Sequence, residues 1–211
     1  VRQSLKDDYI EVEPTPLSSI GLRLTGKARL AGSTAFKKGW VEVQDEGSQL
    51  IAQLTGARPG MKVVDFCAGG GGKTLALAAA MGTDGAIDGR LWACDISDYR
   101  LERITPRLNR AGADNVRIKV IAALDDPWVN KNAGRMDRVL ADVPCTGTGA
   151  WRRDPDARWR ASLDSLDDMI VAQQRILNMA QTLVKPGGRL IYATCSLLQE
   201  ENERQFAGFL E

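Results

Sequence analysis

Two cysteines have neighbours that could support chemistry, and each follows an apolar, strand-like run. Asp142 and Cys145 belong to the segment DVPCTGTG, which follows RVLA, and Cys195 belongs to ATCS, which follows RLIY. Pro144 restricts the residue before it to extended geometry, so the turn can hold Asp142 near Cys145. Two thiols and a carboxylate at neighbouring strand ends would form a nucleophilic site without any histidine. Simple packing of these side chains is the competing explanation.

A run of four glycines, Gly69–Gly72, follows the apolar stretch that ends at Cys67, and Lys73 and Thr74 then open a helix-like segment. This order lets backbone N–H groups at a helix N-terminus face an anionic or hydrogen-bonding ligand, and glycine permits a close approach. The spacing fits neither a P-loop, which requires glycine in place of Cys67, nor a dinucleotide fingerprint, which requires it in place of Thr74 or Leu75. The turn therefore predicts a small-molecule site of another kind, with a generic glycine turn as the competing explanation.

Acidic residues end or follow the next two predicted strands. Asp95 closes LWACD, and a carboxylate there can accept hydrogen bonds from both ribose hydroxyls of a nucleoside. The alternative is that Asp95 caps a helix beginning near Ser97. Asp125 or Asp126, after the following strand, could meet the adenine in the same way, and we prefer Asp125. These positions predict a ligand that contains a nucleoside.

The composition limits the class of protein. The chain has 211 residues, 44% hydrophobic and 26% charged, which suits one globular domain with a small appendage. The chain has 28 basic and 27 acidic residues, so its net charge is close to zero. Any nucleic-acid binding must therefore depend on a local basic patch. The absence of histidine and of a C-x-x-C pair argues against a zinc cluster. Without an apolar run of about 18 residues or a signal-peptide core, we expect a cytoplasmic protein with no membrane partner, and we expect a monomer without metal.

From residue 62 onward, strand-like and helix-like segments alternate. Strands are predicted at Lys62–Cys67, Arg90–Cys94, Val116–Ile121, Arg138–Ala141 and Arg189–Thr194. Helices are predicted at Asp45–Thr55, Lys73–Met81 and Tyr99–Ala111, from the capping box Ser165–Asp168 to a stop at Pro186–Gly188, and from about Glu200. Loops are predicted around Gly82–Gly89 and Asp125–Arg135. The alternation favours an α/β fold, a Rossmann-like doubly wound domain with a mostly parallel sheet whose carboxyl edge carries the chemistry.

The first part of the chain predicts a small basic appendage. Residues 1–20 lack a clear period and are predicted to be an extended lead-in, and a short strand is predicted at Trp40–Val43. From residue 21 to 38 the chain has five basic and no acidic residues. This bias suits either a solvated face or a phosphate contact surface that includes Lys37 and Lys38. We therefore divide the chain into a basic segment, residues 1–38, and a main domain, residues 39–211.

A second candidate contact surface follows the first cysteine segment. Residues 151–160, WRRDPDARWR, contain four arginines and two tryptophans. Arginine can pair with phosphate and tryptophan can stack on a base, so Arg152, Arg153, Arg158 and Trp159 are candidate nucleic-acid contacts. The alternative is that the tryptophans pack on the next helix and the arginines are solvated.

Several of these segments together resemble one family. DFCAGGGGKT, LWACD, DRVLADVPCTGTG, RRDPD and KPGGRLIYATCSLLQEENE occur in this order, preceded by QDEGSQL. They resemble the successive motifs of RNA cytosine-C5 methyltransferases of the Sun/RsmB (Fmu) family, which use S-adenosylmethionine. The family usually has Ala-Pro where this chain has Gly69-Gly70, which makes the turn more flexible. Family members usually continue into further strands, so we expect this chain to be incomplete at its C-terminus.

The resemblance implies a class I methyltransferase fold and covalent chemistry. Cys195 would add to C6 of cytosine, and Asp142, protonated or sharing a proton, would hydrogen-bond N3 and stabilise charge on the ring. Cys145 would assist release of the product. Lys73 is a candidate for activating the Cys195 thiol. DNA enzymes would be expected to lack a cysteine equivalent to Cys195, so the resemblance favours RNA.

The resemblance also assigns the cofactor and the partner. The implied cofactor is S-adenosylmethionine, and the implied partner is RNA, with ribosomal RNA preferred over transfer RNA. An RNA-binding relative that has lost catalysis is a further alternative. The residues assigned to the cofactor are Cys67, Ala68, Gly69, Gly70, Gly71, Gly72, Lys73, Asp95, Arg100, Asp125 and Asp142.

Overall fold

The structure, a computed structural model, describes residues 1–83, 86–122, 125–160 and 163–210. Its first part is folded, whereas an extended lead-in was predicted. The elements are α1 (Arg2–Asp7), the antiparallel strands β1 (Val12–Pro14) and β2 (Leu22–Leu24), and α2 (Thr34–Lys37). Leu5, Ile10 and Ala35 form a small buried core. The prediction was wrong because each element is too short to show an apolar period. The predicted strand Trp40–Val43 is also wrong, since Trp40 and Val43 are exposed and form no ladder.

A five-stranded sheet organises the rest of the described chain. The elements are α3 (Glu46–Leu54), β3 (Lys62–Asp65), α4 (Gly72–Met81), β4 (Gly82–Thr83), β5 (Ala86–Ile87), β6 (Arg90–Asp95), α5 (Asp98–Glu102), α6 (Thr105–Ala111), β7 (Arg117–Val120), α7 (Pro127–Lys131), β8 (Met136–Asp142), α8 (Ala157–Arg160), α9 (Leu163–Leu183), β9 (Val184–Ala193) and α10 (Glu203–Leu210). Short 3-10 turns lie at Leu30–Gly32, Thr148–Ala150 and Gln199–Glu201. The sheet order is β7-β6-β3-β8-β9, and each neighbouring pair is parallel. The predicted α/β class with a Rossmann-like parallel sheet is confirmed.

The strand order brings the ends of β3 and β8 side by side. The chain moves outward from β3 through β6 to β7, returns to β8 beside β3, and continues to β9. Asp65 at the end of β3 pairs with Leu140, and Asp142 at the end of β8 pairs with Ala193. Ligands of open α/β sheets bind outside the carboxyl ends of the strands at such a change of direction. The topology therefore places the glycine turn and both cysteine segments at one edge.

Successive strand residues are buried on opposite faces of the sheet. Val63 belongs to the core that includes Leu77 of α4 and Leu108 of α6, whereas Val64 belongs to the core that includes Leu183 of α9. Strands covered on both faces are nearly continuous apolar runs, which is why the sequence showed them clearly. The two half-cores anchor the strands that carry the site.

Three local predictions were wrong. The single helix Tyr99–Ala111 is two helices, α5 and α6, because Pro106 in the first turn of α6 has no backbone N–H to continue the earlier helix. Ser165 lies inside α9, so the capping box does not begin that helix. The loop around Asp125–Arg135 contains α7, which Asp126 caps by accepting a hydrogen bond from the Trp128 N–H at 2.8 Å.

Two further turn predictions need correction. The segment Gly82–Gly89 carries the short antiparallel pair β4 and β5 in its described part. Pro186–Gly188 does not separate helix from strand, because β9 begins at Val184, directly after α9. Its pairing with β8 shifts register between Met136 and Arg138, so the proline and glycines are accommodated as an irregularity within the strand.

Candidate active site

The two predicted cysteines are in contact through their sulfur atoms. Cys145 Sγ and Cys195 Sγ are 3.3 Å apart, a hydrogen-bonding distance for thiols. The residues are 50 positions apart in the sequence, and the parallel pairing of β8 with β9 brings their segments together. Cys195 is exposed and Cys145 is half-buried. The site therefore presents one thiol to solvent with a second thiol beside it.

Backbone hydrogen bonds hold the two cysteine segments against each other. The Val143 N–H donates to the Ala193 carbonyl at 3.0 Å, and the Gly149 N–H donates to the Cys195 carbonyl at 2.9 Å. A Cβ at Gly149 would lie 2.8 Å from that carbonyl oxygen, so glycine is required for this approach. The register between the segments is therefore fixed on both sides of the sulfur pair.

The sulfur contact makes the two thiols unequal in acidity. A hydrogen bond from the Cys145 thiol lowers the pKa of Cys195 to about 6, against the opposing effects of burial and of Asp142. The same hydrogen bond, together with burial, raises the pKa of Cys145 well above its ordinary value. Lys73 also lowers the pKa of Cys195, but to a smaller extent. The thiolate form is therefore favoured at Cys195, the more exposed of the two thiols, with Cys145 beside it as the hydrogen-bond donor.

An ion pair links the glycine turn to the carboxylate of the first cysteine segment. Lys73 Nζ, in the first turn of α4, lies 2.6 Å from Asp142 Oδ2 at the end of β8. It also lies 3.4 Å from Ser48 Oγ. The side chains of Lys73 and Asp142 are only 14% and 29% exposed, so water screens their attraction less than at the surface. Lys73 therefore donates a charge-assisted hydrogen bond to the Asp142 carboxylate.

The glycine turn is held by its neighbours on β6 and α6. The Gly69 N–H donates to Asp95 Oδ2 at 2.9 Å, and Arg107 donates to the Gly70 carbonyl. Gly71 has φ 81°, and a Cβ there would lie 2.9 Å from Ile104. Only glycine combines this backbone conformation with such a close approach. The turn is therefore shaped in advance of any ligand.

A buried carboxyl supports the turn from below. Asp65 is 1% exposed and accepts a hydrogen bond from Thr74 Oγ1 at 2.7 Å. Burial raises the pKa of Asp65 to about 7, although the Thr74 hydrogen bond opposes the shift. Cys67 and Ala68 lead into the turn, and the Ala68 N–H donates to the Cys94 carbonyl at 2.8 Å. Cys94 is fully buried in the core, whereas Cys67 is only partly buried.

The three aspartates predicted as possible nucleoside contacts, Asp95, Asp125 and Asp126, are in different environments. Asp95 is 4% exposed and accepts from the Ser97 N–H at 2.9 Å, while Ser97 itself caps α5. Arg100 lies 3.7 Å from Asp95 Oδ1. Asp126 caps α7 and is mostly buried, whereas Asp125 is exposed. The carboxylate of Asp126 is therefore engaged in capping, whereas that of Asp125 is open to solvent.

The sequence analysis missed a buried carboxylate beneath the cysteine segments. Glu201 is 0% exposed and accepts hydrogen bonds from the Thr146 N–H at 2.8 Å and from Gln173 Nε2 at 2.9 Å. Gln173 interrupts the apolar spacing of α9, and it is itself 0% exposed. That interruption was the available signal, because a buried polar side chain on a core-facing stripe needs a partner.

The arginine and tryptophan segment is largely exposed. Trp159 is 83% exposed, which contradicts the alternative that it packs on the following helix. Arg158 is close to two rings, with Cζ 5.8 Å from the Trp159 centroid and 5.9 Å from the Trp151 centroid. Arg152 is exposed, and Arg153 forms an ion pair with Asp45 at 2.9 Å. The segment therefore offers an exposed indole and a nearby guanidinium.

The two predicted lysine contacts are on a different part of the surface. Lys37 and Lys38 are exposed at the end of α2. The next residue, Gly39, packs on the backbone of Arg110 near the end of α6. The glycine turn meets the opposite end of α6, through Ile104. The structure thus does not bring these lysines beside the cysteine pair.

The described ranges were searched for membrane-spanning helices and for clusters of metal-binding side chains. None of the helices there is long and apolar enough to cross a lipid bilayer. The same ranges contain no grouping of three or more His, Cys, Asp or Glu side chains that could hold a metal ion.

Known proteins are similar to this chain in sequence and in fold. Residues 52–211 match the family described as 16S rRNA methyltransferase RsmB/F. The chain is 36% identical over 214 residues to the probable ribosomal RNA small subunit methyltransferase B of Synechocystis sp., a match that covers 100% of this chain and 46% of the relative. The crystal structure of PH0851 superposes with a TM-score of 0.87 at 34% identity, over 99% of this chain and 46% of that one.

A third match comes from the crystal structure of NSun6 from Pyrococcus horikoshii with SFG. Its TM-score is 0.76 at 25% identity, over 90% of this chain and 48% of that one. The chain spans about half the length of the curated relatives it matches. The matched family region contains the glycine turn and both cysteine segments. These findings confirm the resemblance, and the chain belongs to the 16S rRNA methyltransferase RsmB/F family.

Proposed function

We propose that this protein transfers a methyl group from S-adenosylmethionine to C5 of a cytosine in RNA, through a covalent bond between Cys195 and C6 of the base. The observation that carries the proposal is the sulfur pair of Cys195 and Cys145 at the same sheet edge as the Asp142–Lys73 ion pair. This group combines a nucleophile, a carboxylate that can stabilise charge on the base, and a second thiol.

The residues at the glycine turn suit S-adenosylmethionine. Gln44 Nε2, near Gly72, is buried without a hydrogen-bond partner among the described residues, so the site has an unused donor. Oδ1 of the buried Asp65 carboxyl, below the turn, is likewise without a partner among them. The turn would hold the methionine end, Asp95 the ribose and Asp125 the adenine. The related NSun6 structure with SFG supports a ligand of this type on this fold. When bound, the cofactor supplies an electrophilic methyl group.

The chain supplies the groups that make cytosine reactive. C5 of cytosine is a weak nucleophile, so the Cys195 thiolate would first donate an electron pair to C6 and form an S–C6 bond. The electrons of the C5–C6 double bond then move into the ring, and negative charge develops at N3. Asp142 would hydrogen-bond N3, using a proton that Lys73 offers at 2.6 Å. Carbon C5 becomes nucleophilic as a result.

Release of the product requires that the bond between Cys195 sulfur and C6 of the base breaks again. When the C5 proton is removed, its bonding electrons restore the C5–C6 double bond, and the S–C6 electron pair returns to Cys195. The Cys145 thiol, 3.3 Å away, can donate a hydrogen bond to the departing thiolate. The low pKa of Cys195, about 6, favours this departure because it reflects a stabilised thiolate.

RNA would reach the site with its target base splayed out of any helix. Trp159 would stack on a base, and Arg158 and Arg152 would pair with phosphates. Lys37 and Lys38 would add distant phosphate contacts. We propose ribosomal RNA as the substrate because the relatives carry names that specify small-subunit ribosomal RNA.

The proposal is tested by methyl transfer from labelled S-adenosylmethionine to unmodified small-subunit ribosomal RNA and, separately, to transfer RNA. We expect 5-methylcytidine in the ribosomal RNA, and we expect Cys195→Ala to abolish it. Cys94→Ala is the matched control, because Cys94 is buried in the core away from solvent. Transfer that survives Cys195→Ala would contradict the mechanism, and preferential transfer to transfer RNA would contradict the substrate.

A further inference from the structure

A dipeptide that the proposed chemistry does not use lies under both cysteine segments. Glu201 ends the 3-10 turn Gln199–Glu201, and Asn202 follows it. Glu201 is 0% exposed, which is unusual for a carboxylate and requires compensating hydrogen bonds. Burial alone would raise the pKa of Glu201, but hydrogen bonds from its neighbours outweigh burial and leave it below the ordinary value. The group is therefore an ionised, fully bonded carboxylate inside the protein.

Glu201 and its hydrogen-bond partner Gln173 hold the residues on the two sides of Cys145. After Cys145, the Thr146 N–H donates to Glu201 Oε1 at 2.8 Å, and the Thr146 hydroxyl donates to Glu201 Oε2. Before Cys145, the Pro144 carbonyl accepts from Gln173 Nε2 at 2.9 Å. The same Nε2 donates to Glu201 Oε1 at 2.9 Å. The backbone of the cysteine is thus fixed at its two neighbouring residues.

Asn202 holds the residues on both sides of Cys195. The Thr194 hydroxyl donates to Asn202 Oδ1 at 2.7 Å, and Asn202 Nδ2 donates to the Ser196 carbonyl at 3.1 Å. Nδ2 also donates to the Leu198 carbonyl at 2.8 Å. Glu201 and Asn202 are adjacent in the chain. The hydrogen bonds that hold the two cysteine segments therefore meet at one dipeptide.

We propose that Glu201 and Asn202 are positioning residues that set the spacing of the two sulfur atoms. They do not touch the reacting atoms, and they act through the peptide neighbours of each cysteine. The catalytic consequence rests on the proposed function, since Cys145 can assist release only while it remains in contact with Cys195. The positioning itself is a property of the free protein.

Isosteric substitution tests the carboxylate sharply. Glu201→Gln replaces one oxygen with an NH2 group, while the Thr146 N–H, the Thr146 hydroxyl and Gln173 Nε2 all donate. With the NH2 group at the Oε2 position, the Thr146 hydroxyl must turn from donor to acceptor, and with the NH2 group at the Oε1 position two donors would face it. In either orientation the charge-assisted hydrogen bonds of the carboxylate are weakened. Asn202→Ala is a second, uncharged variant that releases the neighbours of Cys195.

The test measures alkylation of Cys195 by iodoacetamide as a function of pH, in free protein without RNA or cofactor. Loss of the sulfur contact would raise the midpoint from about 6 toward the ordinary thiol value. We expect the rate at pH 7 to fall about tenfold in Glu201→Gln and in Asn202→Ala, as it would if the midpoint rose by about two pH units. Cys145→Ala provides the reference for complete loss of the contact.

The direction of the shift separates positioning from simple electrostatics. Glu201→Gln removes a negative charge, which alone would lower the midpoint of Cys195. Asp142 and Lys73, the charged groups that act on Cys195, remain in both variants. Gln205→Ala is the matched control, because Gln205 is a buried polar residue of α10 that donates to the Ile170 carbonyl. We expect its midpoint to equal that of wild type.

Circular dichroism melting identifies any variant that fails to fold. Thr146→Val then takes its place, since it removes the hydroxyl that donates to Glu201 and that also lies 3.4 Å from Ser196 Oγ. An unchanged or lower midpoint in folded variants would overturn the positioning role. A raised midpoint supports it, whether or not the protein methylates RNA. In the methyl-transfer reaction, we expect the folded variants to accumulate a covalent protein–RNA adduct, because Cys145 no longer assists the departure of Cys195 from the base.

Discussion

At the residue scale, the site depends on pairs of side chains that alter each other's charge. The Cys145 thiol stabilises the thiolate of Cys195, and Lys73 faces Asp142 at 2.6 Å. The sequence placed these residue types at strand ends, so their meeting at one sheet edge was predictable. The order of acidity was not, because it depends on a sulfur separation of 3.3 Å that no spacing in the sequence encodes.

The buried carboxyl of Asp65 gives a stability prediction with a definite sign. Asp65 keeps its proton to about pH 7 in the folded protein, whereas the ordinary value for the unfolded chain is 3.8. The folded state binds more protons between these values, so the free energy of unfolding falls as the pH rises through this window. Asp65→Asn cannot ionise and should lose this slope, which is at most about 1.4 kcal/mol per pH unit.

Urea unfolding of wild type and Asp65→Asn at pH values from 4.5 to 8 measures the effect. We expect the stability of Asp65→Asn, relative to wild type, to increase steadily as the pH rises. Asp88→Asn is the control, because Asp88 is exposed in the loop before β6. Parallel stability curves for wild type and Asp65→Asn would contradict the burial of a neutral carboxyl at this position.

At the element scale, the segments that follow β8 and β9 determine where the two cysteines lie, more than the strands themselves do. The strands were found in the sequence because both faces of the sheet are buried and their apolar runs are plain. The split between α5 and α6 was readable from Pro106 but was overlooked, and the small N-terminal elements have no readable period. The Glu201 network was hidden because its bonds join α9, the 3-10 turn and the cysteine segment, which are distant in the sequence.

The close approach of the two cysteine segments gives a prediction for Gly149. In Gly149→Ala the new Cβ would lie 2.8 Å from the Cys195 carbonyl oxygen, so one segment must move. We expect a loss of about 1 to 3 kcal/mol in stability, as for an overpacked core, and a clear fall in methyl transfer. Thermal melting and the labelled-methyl reaction measure the two effects.

Gly208→Ala is the matched control for that substitution. Gly208 lies in α10, and no described atom is within 4 Å of the position its Cβ would take. Alanine in a helix interior should be neutral or stabilise by up to about 1 kcal/mol. Equal stability and equal methyl transfer in Gly149→Ala and Gly208→Ala would show that the close approach at Gly149 has no role in holding the cysteines.

At the scale of the whole molecule, the near-neutral charge means that the proposed RNA binding must depend on local surfaces. Glu42, in the segment that follows α2, forms ion pairs with Arg107 and Arg110 of α6. The surface of Arg158 and Trp159 follows the first cysteine segment and is exposed. The two proposed RNA surfaces are therefore separate, and the one nearer in sequence to Cys145 combines charge with an exposed indole.

The salt dependence of RNA binding distinguishes the two roles at the nearer surface. Arg158→Ala should weaken binding and reduce the slope of log affinity against log salt by about 0.7, as expected for one phosphate contact with single-stranded RNA. Trp159→Ala should weaken binding by about 1 to 3 kcal/mol without changing the slope, because stacking releases no counterions. Fluorescence anisotropy with a labelled RNA measures both quantities.

Arg135→Ala is the control for nonspecific charge loss, because Arg135 is exposed at the start of β8, at the opposite edge of the sheet. Its affinity and salt slope should match those of wild type. A salt slope that changes as much in Arg135→Ala as in Arg158→Ala would contradict a localised RNA surface.

The most direct measurement of the central claim is the trapping of the covalent intermediate in Cys145→Ala. Incubation with S-adenosylmethionine and unmodified small-subunit ribosomal RNA, followed by denaturing electrophoresis and mass spectrometry, reports which cysteine is bonded to the base. We predict a stable adduct through Cys195, since the thiol that assists its departure is missing, and no adduct in the double variant with Cys195→Ala. An adduct that forms in Cys195→Ala, or one bonded through another cysteine, would contradict the account.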